Sequence, residues 1–204
     1  MIREAELFVR AEAVLVEVLG RIRAGQWRIV MPPTADMPRT AKPLTIRQAV
    51  RHYARANALL PELLAGRNLA DIGDAHDGDL LGPDPHASVT GLSEAACAAV
   101  EKVTDPTAPV DPASGEASVS DYLWRSDIAR CFLAHDVAMH LGSRACPFTE
   151  ELARGMWEGT WPVAQRWRDA GLFGEPMELP ADVSWRDRFL LSTGRDPHPP
   201  GGDH

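Results

Sequence analysis

Cysteine is scarce in this sequence, with only three among 204 residues. Cys97, Cys131 and Cys146 cannot all pair within one chain, and none of them belongs to a CxxC unit. The sequence therefore indicates neither a disulfide framework nor a zinc ribbon. We expect the three residues to be free thiols in the cytoplasm.

Long apolar runs and an excess of basic charge are also missing. No stretch approaches the roughly 20 apolar residues that a membrane-spanning helix needs, and the acidic N-terminal residues do not have the basic-then-apolar order of a secretory signal. Acidic residues number 29 against 21 lysines and arginines, which gives a formal net charge of -8. Because general binding to nucleic acid or to an anionic membrane relies on a concentrated positive field, we expect a cytoplasmic protein that binds neither.

Several common enzyme motifs are absent as well. The sequence has no GxSxG element, no Walker loop and no dinucleotide-binding fingerprint, which removes the sequence basis for common hydrolase and nucleotide-binding functions. Asp77-Gly78-Asp79 offers oxygen ligands but lacks the later ligands of an EF-hand, so a turn is the better interpretation than a calcium loop.

The chain does contain several amphipathic helical patterns, in which apolar residues recur at helical spacing. The predicted helices are residues 2–24, 45–64, 87–103, 118–141 and 149–169, with a short helical turn at 185–191. Segments rich in proline and glycine separate them, and the segment 105–117 has room for a short hairpin.

These patterns, together with the absence of alternating β-branched segments, favour an all-α fold. We predict a four-helix bundle with long connections and a short C-terminal helical extension, in which the first, second, fourth and fifth predicted helices surround one core. Residues 1–196 are expected to form this single domain, and residues 197–204 a disordered tail.

Two histidines fall on otherwise apolar faces of different predicted helices, and both are expected to face the core. His52 lies on the second helix and His135 on the fourth. Neutral imidazole binds zinc, nickel or iron, and helical bundles build metal sites from inward side chains on facing helices. The alternative is that each is a buried, hydrogen-bonded core histidine, and the sequence leaves both interpretations open.

Cys131 and Glu12 are two further candidates for such a site. Cys131 precedes His135 by one helical turn, so both side chains can reach one point and a thiolate would suit zinc. Buried free cysteine is also a common core residue that behaves as a small hydrophobe. Glu12 is the one polar residue on the apolar face of the first helix, where it can be a metal ligand, a general base, a partner for a histidine, or a helix-edge residue near solvent.

An ordered set of short motifs extends along nearly the whole chain. The motifs are Gln26-Trp27, residues 45–52, residues 63–66, residues 79–85, residues 121–124, residues 134–138, residues 171–174 and the closing residues 193–197. No single motif is specific, but the ordered set resembles the actinobacterial metal-binding proteins related to the N-terminal domain of mycothiol-dependent maleylpyruvate isomerase, within the DinB-like superfamily.

The resemblance implies a DinB-like bundle that holds a divalent metal through His52 and His135. Cys131 stands where the family has a third ligand that is acidic or histidine. The alternative third ligands are Glu12, Asp127 and Asp79. Zinc is the expected metal, with nickel or iron as alternatives, and coordination would lower the pKa of a bound thiol and generate thiolate near neutral pH.

The function implied by the resemblance is that of a metal-dependent thiol S-transferase or isomerase. Such an enzyme would use a low-molecular-weight thiol, of the mycothiol type, as co-substrate and would act on a small-molecule substrate, and a homodimer is left open. The alternative is a non-catalytic helical bundle that has lost the metal and binds a small molecule or a partner protein.

Overall fold

The computed structural model describes residues 1–33, 42–112, 115–143 and 145–197. Within these residues the fold is all-α apart from two short two-stranded ribbons, which confirms the predicted fold class. The predicted tail, residues 197–204, lies outside the described residues except for its first residue.

Five helices of eleven or more residues supply most of the helical residues. They are α1 (Arg3–Gly20), α2 (Ile46–Leu64), α4 (Pro85–Val100), α5 (Val119–His140) and α6 (Glu150–Thr160). The shorter helices are α3 (Leu69–Ile72), α7 (Ala164–Asp169) and α8 (Trp185–Ser192), and 3-10 turns occupy Gln26–Arg28 and Trp161–Val163. None of the described helices is both long and apolar enough to cross a membrane.

Each ribbon leads directly into a long helix. Strand β1 (Val30–Met31) runs antiparallel to β2 (Leu44–Thr45), which continues into α2. Strand β3 (Pro109–Val110) runs antiparallel to β4 (Ala117–Ser118), which continues into α5. The second ribbon is the hairpin for which the segment 105–117 has room.

Side-chain caps fix where α2 and α5 begin. The Thr45 side chain accepts a hydrogen bond from the Gln48 backbone N–H at 3.2 Å, and the Gln48 side chain accepts one from the Thr45 backbone N–H at 2.8 Å. The Ser118 hydroxyl accepts from the Asp121 backbone N–H at 3.1 Å. Because these bonds satisfy donors that have no partner inside the helix, the start of each helix can be read from the sequence.

Helix α4 is part of the bundle, although the predicted core did not include it. It packs against α1 and α2, while α1 also lies along α5, and α6 packs against α8 and the side of α1. The buried residues of α4 are small, namely Val89, Ser93, Ala96 and Val100. Because small side chains give a weak amphipathic pattern, the sequence understates how deeply this helix is buried.

The fifth predicted helix, residues 149–169, is interrupted in the structure. Helix α6 ends at Thr160, a 3-10 turn follows over Trp161–Val163, and α7 begins at Ala164. Pro162 explains the break, because proline has no backbone N–H to donate to the preceding turn and its ring collides with that turn.

Close packing of α6 against α5 predicts a large difference between two glycine-to-alanine substitutions. A Cβ at Gly159 would lie 1.9 Å from an atom of the Trp124 ring, whereas a Cβ at Gly91 on α4 meets nothing within 4 Å. We expect Gly159→Ala to lower the free energy of unfolding by about 1 to 3 kcal/mol. Gly91→Ala should raise it by about 0.5 to 1 kcal/mol, since alanine is the better helix former. Urea denaturation measures both, and a stable Gly159→Ala protein would contradict the packing.

Candidate functional site

His52 is exposed on α2, so the prediction that it faces the core is wrong. The buried face of α2 instead passes through Ile46, Val50, Tyr53 and Asn57. Successive residues on a helix are about 100° apart, so an inward Tyr53 turns its neighbour outward. The pattern of apolar residues in the sequence predicts a different inward face for α2, because the face that is buried carries the polar Asn57 and the amphipathic Tyr53.

His135 and Cys131 are both buried on α5, as predicted. The His135 ring lies 6.4 Å from the Phe148 ring, and burial lowers the pKa of His135 below its usual value. Burial raises the pKa of the Cys131 thiol well above its usual value. Near neutral pH the imidazole is therefore neutral and Cys131 is a protonated thiol, packed as a small apolar side chain.

The three alternative ligands lie in three different environments. Glu12 is fully buried and is held by hydrogen bonds from α2 and α5. Asp127 is also fully buried, and burial raises the pKa of its carboxyl well above the usual value. Asp79 is exposed and pairs with Arg47 at 2.9 Å, and its hydrogen bond with that arginine lowers its pKa.

The donors that the resemblance assigns to a metal do not fit a common site. Within the described residues, no three or more His, Cys, Asp or Glu side chains form a group that could hold a metal ion. His52 lies on the outside of the bundle, whereas His135 and Cys131 lie inside it.

The protonated state of the three thiols, of which Cys131 and Cys146 are buried and Cys97 is partly buried, can be tested by alkylation. Burial raises the pKa of Cys97 and of Cys146 from 9.0 to about 11, and two units lower the thiolate fraction about a hundredfold. We expect all three thiols of the folded protein to react with iodoacetamide at pH 8 far more slowly than in guanidinium chloride, with Cys131 the slowest. Peptide mass spectrometry gives the rate at each site. Rapid alkylation of Cys131 in the folded protein would reveal a thiolate and contradict this assignment.

A buried polar cluster joins α1, α2 and α5. The Glu12 carboxylate accepts hydrogen bonds from the Tyr53 hydroxyl, from Asn57 Nδ2 at 2.6 Å and from Arg130 Nε at 2.5 Å. Arg130 also donates to the Asn57 side-chain oxygen and, at 2.9 Å, to the Ser126 carbonyl. The sequence indicated that Glu12 faces inward but did not reveal these partners.

The cluster is suited to fixing the helices relative to one another. The Arg130 guanidinium lies 4.0 Å from the centre of the Phe8 ring, so α1 contributes both a carboxylate and an aromatic face to it. Burial and the neighbouring Glu12 carboxylate raise the pKa of Tyr53 well above its usual value, which keeps its hydroxyl a donor. Both carboxylate oxygens of Glu12 are engaged by protein donors, as expected of a structural cluster.

Removing one member of this buried pair should be far more costly than removing both. Glu12→Leu leaves the Arg130 charge buried without its counter-ion, and we expect it to lower the free energy of unfolding by about 3 to 5 kcal/mol. The double variant Glu12→Leu/Arg130→Met should recover much of that loss. As a surface control, Glu158→Gln removes the partner of Arg154 and Arg3 and should change stability by less than about 1 kcal/mol. Equal losses for Glu12→Leu and Glu158→Gln in urea denaturation would contradict the role of the cluster.

A groove of about 310 Å³ runs along the face of α5 that points away from this cluster. The residues of α5 that line it are Arg125, Ile128, Ala129, Phe132, Leu133 and Asp136. The remaining lining residues are Met31, Pro32, Pro33, Lys42 and Leu44 around the first ribbon, Ala49 of α2, and Gly171, Leu172 and Arg195 of the C-terminal part.

The groove is elongated, apolar in the middle and charged at its ends. Its α5 residues follow helical spacing from Arg125 to Asp136, a distance of about 16 Å at 1.5 Å per residue. At the far end Asp136 accepts a hydrogen bond from Arg195 Nη1 at 2.6 Å, and the Arg195 guanidinium lies 3.8 Å from the centre of the Phe132 ring. An elongated apolar molecule with one polar end fits this pattern.

Comparisons with known proteins yield no relative. No protein-family model, curated protein or solved structure matches this chain. The resemblance to the DinB-like superfamily therefore stays a prediction, and the function has to be argued from the groove and the buried cluster.

The groove was not visible in the sequence. Its walls come from segments that are far apart in the chain, and the pattern within α5 gives only one wall. A partial signal exists, because Phe132 and Leu133 add apolar surface to α5 beside the inward residues Ile128 and His135. Such a broad apolar sector is also typical of a helix that packs on two sides.

Proposed function

We propose that this protein binds a small, elongated and mostly apolar molecule in the groove along α5. The observation that carries the proposal is the groove itself, which has an apolar centre and a few charged side chains at its ends. Ligand sites in proteins typically have this composition and a volume of at least about 300 Å³. This is the small-molecule-binding alternative predicted from the sequence.

The floor of the groove is well supported, which favours binding. The Phe132 ring packs against the Phe173 and Phe189 rings, with centroids 6.2 and 6.1 Å apart. Phe173 and Phe189 are themselves buried. Because these contacts hold Phe132 in place before any ligand arrives, little side-chain entropy has to be lost on binding.

The volume indicates the size of the ligand. A groove of about 310 Å³ has the volume of about ten molecules of liquid water. An unbranched compound with about ten non-hydrogen atoms matches this volume and can extend along the three turns of α5. Octanoate and 1-octanol are suitable test compounds, since they share a chain length and differ in the head group.

The metal-dependent thiol transferase is less well supported than a binding protein. His52 is exposed on α2, whereas His135 and Cys131 are buried on α5, and among the described residues no group of three or more metal donors comes together. We also place the protein in the cytoplasm, because its three cysteines are free thiols.

Filling the groove should weaken binding without unfolding the protein. Ala129 is an exposed α5 residue that lines the groove, so Ala129→Phe adds a ring at the binding surface but not in the core. We expect it to weaken the binding of octanoate and 1-octanol by at least about tenfold, as measured by isothermal titration calorimetry.

Ala98→Phe is the matched control. Ala98 is also exposed and helical, but it lies on α4 and does not line the groove. Its substitution should leave both affinities unchanged. Failure of both compounds to bind the parent protein, or an equal loss in the Ala98→Phe protein, would refute the proposed function.

A further inference from the structure

We infer that the ligand of the α5 groove is an uncharged aliphatic alcohol, whose hydroxyl donates a hydrogen bond to the Asp136 carboxylate and whose chain extends along α5 over Phe132 and Ile128. This inference rests on the proposed binding function and adds the chemical class and the orientation of the ligand. It is supported by the place of Asp136, which pairs with a buried arginine at one end of an apolar surface.

Asp136 carries the one side-chain oxygen among the described residues that line the groove. The other charged side chains of this lining belong to lysine and arginine, which donate hydrogen bonds but do not accept them. A ligand with a hydroxyl to donate therefore finds its side-chain partner at Asp136. An ether or a hydrocarbon of the same size has no hydrogen to donate there.

The Asp136 carboxylate has capacity for a further donor. A carboxylate can accept about four hydrogen bonds through its two oxygens, and Arg195 Nη1 donates to Asp136 Oδ1 at 2.6 Å. The Asp136 side chain is 17% exposed, so the protein does not cover it completely. A hydroxyl in the groove can therefore bind the same carboxylate that Arg195 binds.

The ion pair at this end selects an uncharged head group. A ligand carboxylate next to Asp136 would be repelled by it. A ligand ammonium would lose hydration and would lie beside the Arg195 guanidinium, whose side chain is only 5% exposed. A hydroxyl has neither cost, and its hydrogen bond to an ionised acceptor is stronger than one between two neutral groups.

The apolar part of the groove begins one helical turn before Asp136. Phe132 and Ile128 lie four and eight residues earlier on α5, and both line the groove, so the three side chains follow one another along one side of the helix. The Arg195 guanidinium lies 3.8 Å from the centre of the Phe132 ring and helps to hold it. An alkyl chain whose hydroxyl is at Asp136 therefore lies on apolar side chains.

The reverse orientation is less favourable. It would place the hydroxyl toward the end of the groove where Lys42 is exposed, so the hydroxyl would exchange hydrogen bonds with water for similar ones. The alkyl end would then cover the Asp136 carboxylate and displace water from it without replacing the lost hydrogen bonds.

Four eight-carbon compounds test the head group. 1-Octanol, its isomer heptyl methyl ether, octanoate and octylammonium are each titrated into the parent protein by isothermal titration calorimetry at pH 7.5. We expect 1-octanol to bind at least about tenfold more tightly than the ether, because a hydrogen bond to a charged group provides about that factor. Octanoate and octylammonium should also bind more weakly than 1-octanol. Tighter binding of the ether or of either ion would overturn the inference.

Substitution of Asp136 by asparagine tests the contact. In Asp136→Asn the remaining side-chain oxygen can still accept from Arg195, while an amide N–H donor replaces the other oxygen. We expect weaker binding of 1-octanol and no loss for heptyl methyl ether, so that the two affinities come within about threefold of each other. A purely structural effect would instead weaken both compounds by the same factor.

Asp121→Asn is the matched control. Asp121 also lies on α5 and forms an ion pair with an arginine, Arg166, but it does not line the groove. Its substitution removes the same charge from the same helix and should leave all four affinities unchanged. An equal loss of 1-octanol affinity in the two variants would overturn the assignment of the hydroxyl to Asp136.

The outcomes distinguish this inference from the proposed function. If the four compounds bind the parent protein equally, or Asp136→Asn leaves the ratio of the 1-octanol and ether affinities unchanged, the alcohol inference is wrong and the binding function stands. If none of the compounds binds, both fail. Far-UV circular dichroism verifies that each variant retains its helices, and the comparison of compounds on the parent protein does not depend on any variant.

Discussion

The buried ion pair between Glu12 and Arg130 is the contact on which the arrangement of the helices depends. It joins α1 to α5, and the hydrogen bonds that Tyr53 and Asn57 donate to Glu12 bring α2 to the same point. A packed core of aliphatic side chains tolerates many small rotations of a helix, whereas a buried charge is stable only where its partners reach it. The cluster therefore favours one rotation of each of the three helices.

The rotation of α2 and α5 decides what each helix presents to its surroundings. Since Tyr53 and Asn57 point toward Glu12, the preceding His52 is exposed at the surface. Arg130 points toward α1 and α2, and Ala129, about 100° away around the helix axis, lines the groove. The same constraint thus separates the two histidines that the sequence pairs and leaves a continuous apolar face on the other side of α5.

Burial also decides the chemistry of the remaining polar groups. Cys131 and Asp127 are fully enclosed on α5, and the pKa of each is raised, so both favour their neutral forms. Neutral groups of this kind suit a packed core. The charged groups that face the groove differ, because Asp136 and Arg195 form an ion pair at 2.6 Å beside a mostly apolar surface.

Features that depend on neighbouring residues can be identified from the sequence. Local spacing identifies the inward face of α1 through Phe8, Leu15 and Leu19, and the capping residues Thr45 and Ser118 mark where two long helices begin. The interruption of the fifth predicted helix also has a local cause, namely Pro162. Hydrophobic periodicity alone predicted one uninterrupted helix through this proline.

The inward side of α2, the partners of Glu12 and the existence of the groove become apparent in the folded protein. Each of these depends on residues far apart in the chain, as between Glu12 and Arg130 or between Met31 and Leu172. Hydrophobic periodicity indicates the apolar side of one helix, but it does not indicate which side chains of other helices pack against that side. A face that carries a tyrosine and an asparagine therefore becomes interior only when a buried carboxylate needs their hydrogen bonds.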